Sequence, residues 1–74
     1  MKLDKNINSI QAHEDGYITV NYQFDYYDAD KGINLTCQIP VTESRKASFT
    51  DIDESSQRKF ENVLRSIIEG LKQV

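Results

Sequence analysis

One cysteine, one proline, one histidine, three glycines and no tryptophan stand in a chain of 74 residues, and each scarcity removes a class of explanation. The lone Cys37 rules out an intramolecular disulfide, and without a Cys/His cluster there is no zinc site, so no cofactor is expected. The glycines lie too far apart to form a loop that cradles phosphate. No apolar run is long enough for a signal peptide in MKLDKNINSI or for a bilayer span later in the chain. The expected setting is therefore cytoplasmic, with no membrane partner. Asn34-Leu35-Thr36 matches a glycosylation sequon, which without an export signal is read as a chance match. Long blocks of one charge are missing as well. Twelve acidic and nine basic residues are mixed along the chain for a net charge of −3. That balance disfavours long-range attraction to nucleic acid or anionic lipid, and it is too mild for a nucleic-acid mimic.

What is present begins with Tyr17–Tyr27, YITVNYQFDYY. Ile18, Val20, Tyr22, Phe24 and Tyr26 alternate with Thr19, Asn21, Gln23 and Asp25, a period of two rich in aromatic and β-branched types that belongs to a strand with one buried face. As the most apolar strand available, it is placed at the centre of a sheet. Residues 1–6 are polar apart from Leu3 and are expected to be loose. Residues 7–13 read as a thin edge strand. Parity then sets the first turn: Ala12 and Ile10 share a face with Ile18 and Val20 only if those residues pair directly, which leaves Glu14, Asp15 and Gly16 as the loop, with glycine at the left-handed position.

A third strand is expected at 33–41, where Ile33, Leu35, Cys37, Ile39 and Val41 alternate with polar residues and Pro40. Proline has no amide hydrogen for a ladder and suits an edge. The apolar set moves from even to odd numbers, so the loop must hold an even number of residues. Asp28–Lys31 satisfies this, with Tyr26 opposite Ile33 and Phe24 opposite Leu35. Beyond the polar stretch Thr42–Ser48 the period changes to that of a helix, near 51–72: Phe60, Val63, Leu64, Ile67, Ile68 and Leu71 form one stripe, with Ile52 and Ser56 behind them. Thr50 with Asp53, or Asp51 with Glu54, would cap its start. The expected fold is α+β, a three-stranded antiparallel meander with one C-terminal helix lying across one face, in a single domain spanning 1–74. About fifteen apolar side chains would meet beneath that helix, a core of marginal size for independent stability, which favours association with a partner.

The chemistry-bearing residues have bland readings beside their sharp ones. His13 is expected on the outer sheet face across from Tyr17, with no nucleophile or orienting group in a recognisable motif, so a solvated cross-strand pair accounts for it. Cys37 faces the core, where a thiol is packing. Asp25, Asp28, Asp30 and Gly32 echo the opening of a calcium loop. The glycine sits one place too early and Ile39 stands where the final glutamate belongs, so turn chemistry suffices. The β-β-β-α order is similar to a double-stranded RNA-binding domain without its first helix. The place where those domains present lysines is taken here by Asp51, Asp53 and Glu54, so the resemblance is one of topology and speaks against the activity.

Protein contact is the remaining candidate. Two open strand edges and an outer face carrying His13, Tyr17, Thr19, Asn21, Gln23 and Tyr27 form the expected interaction surface, with a second copy of the chain (a homodimer) or an assembly partner as occupant. The expected function is a non-enzymatic interaction module, of a kind that fits a bacterial or phage accessory protein. The alternative is a weak single-stranded nucleic-acid binder stacking bases on Tyr17 and Tyr27.

Overall fold

The strand alternation centred on Tyr22 is realised as a twelve-residue strand, β2 (Tyr17–Asp28), flanked in an antiparallel sheet by β1 (Lys2–Ala12) and β3 (Ile33–Ser44) in the order β1-β2-β3. A single helix, α1 (Phe49–Lys72), follows and completes a β-β-β-α fold of the α+β class. These elements come from a computed structural model that describes residues 2–74.

The first turn follows the parity argument. Ala12 pairs with Ile18 and Ile10 with Val20, the His13 amide donates to the Tyr17 carbonyl at 2.9 Å, and Gly16 takes φ 87°, a left-handed conformation that a side chain would strain. The start of the chain departs from expectation. Of the segment expected to be loose, Met1 lies outside the described residues, while Lys2–Asn6 extend β1 and pair with Tyr27–Gln23. The strand continues because a β-bulge between Ile7 and Ser9 leaves Asn8 as an extra residue. The insertion resets which side chains face the helix. Past it, Ile7 opposes Tyr22, Lys5 opposes Phe24 and Leu3 opposes Tyr26. Odd residues before Asn8 thereby share a face with even residues after it.

The β2–β3 register also differs from expectation. Tyr26 opposes Leu35 and Phe24 opposes Cys37, with Asp28 paired to Ile33, so the loop is Ala29–Gly32 and the pairing slides by two residues. Asp28 causes the slide. Its Oδ1 accepts from the amides of Asp30 and Lys31 at 3.1 and 3.3 Å, which starts the turn after it rather than at it, and Gly32 closes the turn at φ 64°. A shift of two preserves the face, so the same side chains remain inward. The helix begins two residues earlier than expected, capped by Ser48, whose Oγ accepts from the Asp51 amide at 3.1 Å, instead of by Thr50 or Asp51.

Among the described residues six apolar side chains are buried: Val20, Tyr22, Phe24, Ile39, Val41 and Ile52. Ser56, also fully buried, lets the helix approach the sheet closely, and its hydroxyl is satisfied by donating to the Asp53 carbonyl at 2.6 Å. The expectation of one lid over the whole face needs correction. Exposure climbs along the apolar stripe of α1 from 1 % at Ile52 through 36 % at Val63 and 55 % at Ile67 to 67 % at Leu71. The helix therefore closes over the Val20–Phe24 part of the sheet and leaves the Tyr26 end open. Its backbone runs closest to β3.

Candidate interaction surface

Where helix and sheet part, the apolar side chains intended for burial line a groove of about 470 Å³. Its floor is Phe24, Tyr26, Leu35 and Cys37 of β2 and β3, Leu3 of β1 forms one end, and Phe60, Val63, Leu64 and Ile67 of α1 overhang it. The bulge at Asn8 is what turns Leu3 inward, and the strand period does the same for Leu35. Both remain more than half exposed, at 56 % and 60 %. The lining is almost wholly apolar. The Tyr26 hydroxyl is turned to Asp28 Oδ2 at 3.4 Å. Burial, followed by the Asp28 charge and that hydrogen bond, pushes the phenol above its ordinary value, so it stays neutral at the groove's edge. Cys37, the only thiol, lies half-buried on the floor.

At the closed end, Lys5 reaches from β1 under the helix. Its ammonium pairs with the Asp53 carboxylate in the early turns of α1 and sits 4.8 Å from the Tyr22 ring centre and 5.4 Å from that of Phe24. This inward lysine and the bulge at Asn8 both blunt the free edge of β1 against strand addition, and Pro40 does so on β3.

Comparison of the chain with known protein families, curated proteins and solved structures finds no match.

The outer face carries the residues expected to form the interaction surface. The structure places four of them in a polar ladder of three separate hydrogen-bonded groups. His13 Nε2 lies 2.7 Å from Thr19 Oγ1, which is 2.9 Å from Thr42 Oγ1. Asn21 Nδ2 donates to Ser9 Oγ at 2.8 Å, and the Gln23 side chain accepts from Asn8 and donates to Asp25. Thr36 Oγ1 also donates to Asp25 at 2.8 Å. These two donors hold the Asp25 carboxyl below its ordinary value. Tyr17 and Tyr27 stand apart at the two ends, about half exposed.

The ladder spends its polar groups within the sheet, which leaves few free for a ligand. His13 works structurally in the same way, with Arg45 Nη2 donating to its carbonyl at 2.6 Å and tying the first turn to the end of β3. The carboxylate of Asp28 is occupied by turn amides. Among the described residues, no three His, Cys, Asp or Glu side chains gather as metal ligands would, and no helix is long and apolar enough to cross a membrane.

Proposed function

We propose that this chain is a non-enzymatic protein-interaction module, self-associating or seated in a larger cytoplasmic assembly, and that it docks through the groove between α1 and the Tyr26 end of the sheet. One observation carries the reading: the apolar stripe of α1 continues for two turns past the point where its own sheet covers it. Leu64, Ile67, Ile68 and Leu71 are 43–67 % exposed along one helix face, opposite an apolar floor. Contiguous apolar surface of that kind is a mark of a contact site. Blunted strand edges and the self-satisfied outer face support the groove over edge addition or face packing. A free, partly buried thiol at Cys37 suits a reducing compartment.

A photo-crosslinking residue placed at Leu64 and, separately, at Asn21 tests the reading in the cells that make the protein. Adducts of defined mass from position 64 and none from 21 are expected. Adducts from 21 alone would move the contact to the outer face and revive base stacking on Tyr17 and Tyr27.

A further inference from the structure

Resting on that reading, we infer that the occupant of the groove is a second copy of this chain, bound about a two-fold axis with the C-terminal halves of the two helices antiparallel. The first argument is area. A folded monomer of 8.5 kDa is expected to expose about 4,650 Å², whereas this chain exposes 5704 Å². The excess, about 1,000 Å² per chain, doubles to the area at which obligate homodimer interfaces begin. The shape agrees. The Cα radius of gyration is 14.6 Å, against about 11 Å for a compact domain of this length.

The second argument is shape and charge. The groove needs an apolar ridge to fill it, and the same chain presents one in Ile67, Ile68 and Leu71, each more than half exposed. A two-fold axis near Ile67 carries that ridge into the partner's groove, over Tyr26 and Leu35, and returns the partner's ridge to this one. Both grooves are then filled by one operation, as an isologous contact requires. Glu61 and Lys72 lie on one edge of the stripe, roughly three turns apart by helical periodicity. The same axis exchanges them, setting each Glu61 beside the Lys72 of the second copy.

Light scattering and sedimentation of the full chain across concentration, with Cys37 thiol reactivity, decide the matter. The wild type is expected at twice the 8.5 kDa chain mass, with Cys37 slow to react. Ile67→Glu, at a site exposed in the single chain, is expected to keep its circular dichroism, weaken association by at least about 100-fold and expose the thiol. Lys72→Glu is expected to weaken it about tenfold over the two symmetric pairs, and Glu61→Lys added to it to restore association. A dimer indifferent to Ile67→Glu would overturn the arrangement. A wild type that remains monomeric at millimolar concentration would overturn the second copy. In that monomer, a reactive Cys37 and binding of an apolar dye would leave the groove open for a different protein. An unreactive thiol with no dye binding would remove the groove as a contact site altogether.

Discussion

Phe24 of β2 and Phe60 of α1 stack almost parallel, with ring centroids 4.2 Å apart and planes 6° from coincidence, and this pair marks the line where the closed core ends and the groove begins. On one side lie Val20, Tyr22 and Ile52, fully buried; on the other, Leu64 and Ile67 are open. Removing the Phe60 ring takes away the stacked contact that holds the helix to Phe24 of the sheet at that line. Phe60→Ala is expected to lower stability by about 2–3 kcal/mol in urea denaturation, with amide exchange rising in the second half of α1 before it rises in β2. Uniform exchange across the chain would show that the pair does not hold this boundary.

Among the described residues the Tyr22 hydroxyl is buried without a hydrogen-bond partner. Burial, and next the nearby Asp53 charge, push its phenol above the ordinary value of 10.0. A raised folded value means that the associated stability is fully present below about pH 10 and is lost as the pH climbs through the folded value. Tyr22→Phe removes both the orphaned hydroxyl and that alkaline loss. It is expected to be neutral or stabilising by up to about 1 kcal/mol at pH 7 and to flatten the fall in melting temperature above pH 10. A clear loss of stability at pH 7 would mean that the hydroxyl has a partner in solution.

Asp25 gives the opposite pH limb. Its side-chain hydrogen bonds from Gln23 and Thr36 depress its titration below 3.8, so its contribution is present above that value and is lost as the pH falls through the folded one. Asp25→Asn is expected to make the melting temperature less sensitive to acid below about pH 4. NMR titration of the carboxyl carbon in the wild type checks the direction independently.

Lys5 joins β1 to α1 by charge and by its position over two rings. The pair is partly open to solvent, at 22 % and 53 % side-chain exposure, so screening trims its worth. Lys5→Ala is expected to cost about 1 kcal/mol, and Lys5→Met, which keeps the stem, about half of that. Equal losses in thermal unfolding would assign the whole effect to the charge.

Much of this architecture was legible in residue periodicity, because strands and helices bury side chains at different intervals. Ile18–Tyr26 and Phe60–Leu71 each identify their element, and parity alone pairs Ala12 with Ile18 and Ile10 with Val20. The first half of β1 was not legible. The bulge at Asn8 reverses the phase there, and an inward lysine at position 5 reads as a solvent residue. The β3 register slipped because Asp28 and Gly32 serve a four-residue loop equally well from either side. The groove was hidden for a different reason. An apolar stripe states that a face must be covered, yet not by what, and periodicity alone gives the run from Val63 to Leu71 to its own sheet. A signal did exist: beyond Phe24 and Cys37 the sheet offers that run few apolar side chains, Tyr26, Ile33, Leu35 and, through the bulge, Leu3.

The extra residue at Asn8 gives β1 two reading frames in one strand. Draw the ladder without the bulge, every residue kept and the Ile10–Val20 pairing held, and every side chain before Ser9 turns over: Asn6 would face Phe24 where Lys5 now reaches Asp53, Asp4 would face Tyr26, and Leu3 would leave the groove for water. Whether that one residue stays out of the ladder thus governs whether Leu3 closes its end of the groove.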